Sequence, residues 1–311
     1  MKIVIPGGSG QVGRLLERAF VESGDTVTIV SRSASNESCR WDGVTRGAWA
    51  RHIDDADVVI NLAGRTVNCR YTEENLKQMM DSRVNSTRVI GEAIASSSTP
   101  PKVWLQMSTA TIYSHRFDAS NDEVTGIIGG NEPDAPNYWA RSIDIAKAWE
   151  LELETANTAE TRKVALRTAM VMSPDKEGVF DVLCGLTRKL LGGRIGSGKQ
   201  FVSWIHETDF VDAIRFLIEN ESLSGPVNLA APNPLPQAEF QSALRKSLGV
   251  PFGLPAMKWM TEIGAVFMKT DTELILKSRR VVPTRLIESG FEFRYPEWRE
   301  AAKELVARAR F

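Results

Sequence analysis

Residues 2–13 read Lys2-Ile3-Val4-Ile5-Pro6-Gly7-Gly8-Ser9-Gly10-Gln11-Val12-Gly13, and this stretch decides the fold. Lys2–Pro6 is a short apolar run of the kind that forms a buried strand. The glycines follow at once, spaced as GxxGxxG (Gly7, Gly10, Gly13) and as GxGxxG counted from Gly8. Beyond them, Gln11–Ser23 places Val12, Leu15, Leu16 and Phe20 on one face of a helix. Glycines between a strand and a helix permit a tight turn. They also let backbone N–H groups at the helix N-terminus approach a pyrophosphate. Strand, spacing and helix agree, so Gly7, Gly8, Ser9, Gly10, Gln11, Val12 and Gly13 are expected to line a nucleotide site.

The same alternation continues outward. Thr26–Val30 is β-branched and predicts a second strand, the region of Trp41 a weak third, and Asp57–Asn61 a strong fourth. Glu73–Ala95 is a long helical pattern, and Pro100 and Pro101 stop the chain before a strand at Val103–Met107. Residues 115–137 read as a long loop, Arg141–Glu154 as a helix and Val164–Met172 as a strand. Repeated strand–helix units predict an α/β fold with a doubly wound parallel sheet and right-handed crossovers. The pattern changes near residue 174. Helices are expected at Val179–Leu191, Asp209–Asn220, Phe240–Leu248 and Arg299–Ala307, with short strands at Phe201–Ile205 and Pro226–Leu229. Residues 1–174 therefore form a nucleotide-binding domain. Residues 175–311 form a smaller α/β substrate-side region, with some of its chain returning to the sheet.

Charge and composition narrow the partners. Lys and Arg number 38 against 39 Asp and Glu, a net charge of −1, which disfavours a nucleic-acid binder. No apolar stretch reaches the roughly 18 residues a membrane span needs. The N-terminus runs from strand into glycines without a signal-peptide pattern. Cys39, Cys69 and Cys184 are few, odd in number and far apart, as expected of free thiols in the cytoplasm. With only His52, His115 and His206 for imidazoles, no metal site is expected. Gly193–Lys199 matches GxxxxGK, but Gln200 follows where a P-loop needs Ser or Thr, and the flanking elements are reversed. That loop is expected to line the substrate side of the cleft.

Two further segments point into the cleft. An NAD-binding fold usually carries Asp or Glu about 20 residues past the glycines, for the ribose 2′-hydroxyl. This chain has Ser31-Arg32-Ser33 after the second strand, and an arginine pairs with a 2′-phosphate, so NADP(H) is favoured over NAD(H). Asn61-Leu62-Ala63-Gly64 ends the Asp57–Asn61 strand, at the carboxyl edge where open α/β sheets bind ligands.

These pieces together resemble the extended short-chain dehydrogenase/reductase superfamily. Within it, the chain looks like the atypical epimerase-family proteins of the YfcH type, which carry a C-terminal domain of unknown function. The matching runs are PGGSGQVGR, INLAG, DSRVNSTR, STATIY, ALRTAMV, LGGRIGSGKQFVSWIHETD and SRRVVPTRLIESGFEF, spread over nearly the whole chain. The resemblance implies a Rossmann fold of the NAD-dependent epimerase/dehydratase kind, NADP(H) binding, and Arg83, Ser108 and Met170 beside the cofactor.

It also exposes a departure. The superfamily's usual catalyst is a Ser/Thr at a strand end with a Tyr-x-x-x-Lys, whose lysine lowers the phenol pKa. Thr109 in Ser108-Thr109-Ala110-Thr111 matches the first part. The second is absent: four residues beyond Tyr71, Tyr113, Tyr138 and Tyr295 stand Asn75, Phe117, Ser142 and Arg299. With Trp149-Glu150 as the anchor, Ser142 takes the tyrosine's place and Ala146 the lysine's, leaving Lys147 one position off. Tyr113 is the first substitute proton donor and Tyr138 a weaker one. His206 is expected to be structural, and Asp209 to serve the start of the following helix. The function expected is an NADP(H)-binding oxidoreductase or epimerase-like enzyme acting on an unknown small molecule. A nucleotide-binding sensor or scaffold without turnover is the alternative.

Overall fold

A computed structural model describes residues 1–133, 135–257 and 271–309. Along the chain, β1 (Lys2–Pro6), α1 (Gln11–Glu22), β2 (Thr26–Val30), β3 (Val58–Asn61), α2 (Glu73–Ala95), β4 (Val103–Thr109), α3 (Ala140–Thr155) and β5 (Arg162–Thr168) form the first part. They are followed by β6 (Met170–Met172), α4 (Val179–Arg188), β7 (Phe201–Val202), β8 (Trp204–His206), α5 (Glu207–Glu219), β9 (Gly225–Leu229), β10 (Leu235–Pro236) and α6 (Gln237–Ser247). The last described helices are α7 (Glu273–Leu276), α8 (Thr284–Glu288) and α9 (Trp298–Arg308). Among the described residues no helix is long and apolar enough to cross a membrane.

Six strands make one parallel sheet in the order β2-β1-β3-β4-β5-β9. Its strands are apolar on both faces because helices cover both. Alternation along β1 sorts the two layers. Ile3 and Ile5 point to one side, into a core with Leu16 and Phe20 of α1 and Phe210, Ile214 and Leu217 of α5. Val4 points to the other, into a core with Val59, Val89, Ile90 and Ile94 of α2, Trp104 and Leu153. Each such buried side chain contributes roughly 1.5–3 kcal/mol. A third core ties the C-terminal part together. Phe240 of α6 stacks on Trp298 of α9 at 4.1 Å, and the Trp298 indole N–H donates to the Phe240 carbonyl at 2.8 Å.

Two sequence expectations change. The Trp41 region makes no strand beyond a single bridge between Ser31 and Arg40. Asp42 accepts from the Val44 and Thr45 amides and turns the chain, while Trp41 packs edge-on against Trp49 over the second core. Asp57–Asn61 thereby supplies the third strand, not a fourth. The run Val164–Met172 is two strands: the Ala169 amide donates to Leu229 of β9, and the chain leaves the sheet so that β6 pairs with β8. Chain beyond residue 174 does return to the sheet, as β9 at its edge.

Candidate functional site

The glycine turn closes against the end of β3. Gly7 has φ +75°, and a Cβ there would lie 2.5 Å from the Ala63 nitrogen. Such an approach and such a dihedral both require glycine. The Gly7 amide donates to Val30 and the Leu62 amide to Pro6, each at 2.8 Å, so three strand ends are locked together. A Cβ on Gly13 would collide with the Gly8 carbonyl, because the first turn of α1 packs directly on the loop. Gly8 is buried between Ile5 and Ile29, Ser9 is exposed with its carbonyl on Arg14, and Val12 packs against the first core. Gly10, the N-cap of α1, is different: a Cβ there meets nothing within 4 Å. No side chain caps the helix start, so its first N–H groups face that open space. The Gln11 amide nitrogen beside it is buried without a partner, against Gly178 at the start of α4. An open helix N-terminus with an orphaned amide donor fits a pyrophosphate.

At the end of β2, Ser31 is buried and its backbone is used by Cys39 and Trp41. Arg32 and Ser33 are exposed just beyond it. The Arg32 guanidinium has no hydrogen bond or salt bridge to any described residue, which leaves its five donors for a phosphate. Asn61 is fully buried and serves the turn: it donates to Gln106 and accepts from the Ala63 amide, both at 2.9 Å. Ala63 and Gly64 complete the wall of the crevice. Arg83 lies beneath Gly64 and donates to the carbonyls of Met79 and Arg65, while its guanidinium packs on Trp149 at 4.9 Å. Burial brings its pKa down to about 10. Arg83 thus shapes the loop after the turn. Met170 opens β6, packed against the third core.

The end of β4 separates two residues that the sequence reading joined. Thr109 is half-buried at the carboxyl edge, its oxygen accepting from the Thr111 amide at 3.1 Å, and no described residue accepts its hydroxyl proton. Tyr113 is not there. The turn Ala110–Ile112 carries it inward, where its hydroxyl donates to Asn228 at 3.0 Å and accepts from Arg167 at 2.9 Å. Burial pushes its phenol up, away from an acid's working range. Ser108 belongs to the same network, donating to Glu150 at 2.6 Å, and Glu150 holds Arg167 through both oxygens. Tyr113 as proton donor therefore gives way to a structural role, and the Ser108 hydroxyl is held in the same network.

His206 caps α5, its Nδ1 accepting from the Thr208 amide at 3.0 Å. Asp209 does not cap that helix. Its carboxylate accepts from the Arg294 and Tyr295 amides and pins the C-terminal segment. Gly193 of the GxxxxGK run abuts Gly253 and Leu254.

The α3 register is as the sequence indicates: Ser142 and Ala146 are buried and Lys147 is exposed. What stands before Ser142 was not read from the sequence. Its hydroxyl donates at 2.6 Å to Glu273, at the start of α7. Lys277 follows one helical turn on, its ammonium 2.8 Å from the Thr111 carbonyl and 3.5 Å from Glu273. Arg279 donates to the Thr111 hydroxyl at 3.0 Å. Tyr138, 44% exposed, shares a 2.7 Å hydrogen bond with Thr272 at the rim. Burial raises the Glu273 carboxyl, against the pull of Lys277 and Arg279. Burial also pushes Lys277 down to about 8, although Glu273 supports its charge. The only sequence signal was Glu273-Leu274-Ile275-Leu276-Lys277, two charges bracketing an apolar run at i,i+4 spacing.

Comparison with known proteins gives the family of the chain. A family model described as "NAD dependent epimerase/dehydratase family" matches residues 3–230, and one described as "Domain of unknown function (DUF1731)" matches residues 258–305. An epimerase family protein of Staphylococcus aureus is 30% identical over 311 residues, covering 98% of this chain and 99% of its own. Epimerase family protein SDR39U1 of Bos taurus is 29% identical, covering 99% and 100%. The crystal structure of human epimerase family protein SDR39U1 with NADPH superposes with a TM-score of 0.84 at 26% identity, covering 99% of this chain and 100% of that one. The resemblance drawn from the motifs holds along the whole length, and the chain belongs to the NAD dependent epimerase/dehydratase family.

Proposed function

We propose that this chain binds NADP(H) and acts as an oxidoreductase or epimerase-like enzyme on a small molecule at the carboxyl edge of its sheet. The observation that carries this reading is the open N-terminus of α1 at Gly10, with the unpartnered Gln11 amide beside it. The helix N–H groups would hold the pyrophosphate, and the free Arg32 guanidinium the 2′-phosphate. The NADPH in the human SDR39U1 structure supports that choice. NADPH supplies a hydride; the chain supplies its placement. Thr109, whose hydroxyl proton no described residue accepts, would orient a substrate oxygen. The three free cysteines suit a reducing compartment such as the cytoplasm.

Fluorescence titration of the full chain with NADPH and NADH tests the cofactor reading. Tighter binding of NADPH is expected; equal affinities, or binding of neither, overturn it.

A further inference from the structure

We propose that Glu273 and Lys277 form the proton-transfer pair of this protein, standing where the superfamily has its Tyr-x-x-x-Lys. The inference rests on the cofactor reading above.

Four observations converge on it. The α3 face that has lost tyrosine and lysine presents Ser142 and Ala146, both small and buried, and Glu273 at the start of α7 packs on it, with Lys277, the C-cap of α7, four residues on. The Ser142 hydroxyl is bonded to Glu273 Oε1 at 2.6 Å, so the carboxyl is held directly against the tyrosine's position. The pair is also tied to the catalytic strand end. Lys277 bonds the carbonyl of Thr111, whose amide bonds the Thr109 oxygen. Finally, Glu273 is 0% exposed, yet its Oε2 has no hydrogen-bond partner. A buried carboxyl oxygen left unpaired is costly, and a polar ligand would satisfy it.

The surroundings suit a group that exchanges a proton near neutrality. Lys277 is faced by Glu273 on its own helix, by Arg279 and by Glu132 from the loop before α3. Glu273 is faced by Lys277 and Arg279, and Tyr71 from the segment before α2 lies in its field. Arg279 donates to the Thr111 hydroxyl and to the carbonyls of Glu273, Leu274 and Lys277, so four of its five N–H donors fix the end of α7. Strongly coupled groups titrate as a unit, so the mobile proton belongs to the pair. In the reducing direction a substrate carbonyl carbon gains the hydride that NADPH gives up. Its oxygen takes one proton from the pair, and a proton from the solvent restores the pair, so one H⁺ is consumed per turnover. The products are the alcohol and NADP⁺.

The test uses the NADPH-loaded full chain and reads bound-NADPH emission across about pH 6–10, a window centred below the ordinary lysine range. The native protein should show one step near pH 8. Lys277→Met should abolish it or move it, because the lone Glu273 carboxyl that remains titrates differently from the pair, Glu273→Gln should move it lower because the supporting carboxylate is gone, and exposed Lys147→Met should leave it unchanged. Removing one partner of a buried pair can unfold a protein, whereas removing both charges is often tolerated. Glu273→Gln/Lys277→Met is therefore the second arm, expected to bind NADPH normally and to show no step. No step in the native holoprotein, or a step left unchanged by Lys277→Met, overturns the proposal. A native chain that fails to bind NADPH overturns the cofactor reading instead. Any aldehyde or ketone that oxidises bound NADPH should do so roughly 100-fold more slowly in Lys277→Met, and an unchanged rate also overturns the pair's role.

Discussion

Arg167 donates to the Tyr113 hydroxyl across 2.9 Å, beneath the sheet edge and out of the cleft. Its guanidinium also lies 5.0 Å from the centre of the tyrosine ring. Tyr113 thereby joins β4, β5 and β9 through Arg167 and Asn228. Tyr113→Phe removes an acceptor from one buried charge and a donor from Asn228. A loss of about 1–3 kcal/mol in urea unfolding is expected, with NADPH affinity unchanged. Weakened NADPH binding at full stability would place the phenol in the cleft after all.

Much of this was legible because it is local. The strand–glycine–helix order of residues 2–22 and the 3.6-residue period of α3 sufficed for the nucleotide cradle and for the displacement of Lys147. Tyr113 was misplaced because a three-residue turn separates it from Thr109 and reverses which side of the strand end it meets. Glu273 was missed because it stands 131 positions beyond Ser142, and only tertiary packing brings them together. Met170–Met172 was read into the sheet because it continues the Val164–Met172 run with apolar residues. Its exit depends on β8, which no local pattern near residue 169 announces.

Arg32 is expected to set cofactor choice. A charge-assisted pair to the 2′-phosphate is worth roughly 1.5–3 kcal/mol, or about 10- to 100-fold in affinity. Arg32→Ala should lose most of the preference for NADPH over NADH and leave NADH binding nearly untouched. The side chain is exposed and unpaired, so stability should not change. A preference that survives the substitution would move 2′-phosphate recognition to another residue.

Two glycines of the same motif should fail in different ways. At Gly10 a new side chain meets no protein atom, so Gly10→Val should fold with a normal thermal midpoint and lose NADPH binding by obstructing the pyrophosphate. At Gly13 the added carbon collides with the Gly8 carbonyl, so Gly13→Ala should lower stability before any ligand is added. Melting curves with and without NADPH separate the two. A destabilised Gly10→Val, or a fully stable Gly13→Ala, would contradict this division.

His206 gives the fold a pH dependence of determinate sign. Its Nδ1 accepts the Thr208 amide, so the ring proton sits on Nε2, 2.9 Å from Glu304, and the ring stacks on Tyr295 at 4.0 Å. Protonating Nδ1 would break the cap of α5, and burial holds the imidazole pKa below its ordinary value of 6.5 despite the Glu304 carboxylate. Between that lowered value and 6.5 the unfolded chain binds more protons than the folded one. The stability His206 contributes is therefore full above about pH 6.5 and lost as the pH falls through the window. His206→Asn keeps a cap acceptor while removing the titration. It should start less stable, having lost the stack and the bond to Glu304, and should decline less steeply between about pH 7 and pH 5. His52, whose pKa burial also lowers, titrates in both proteins and cancels in the comparison. Denaturant unfolding at a series of pH values reads the two slopes, and identical slopes would assign the acid sensitivity to other groups.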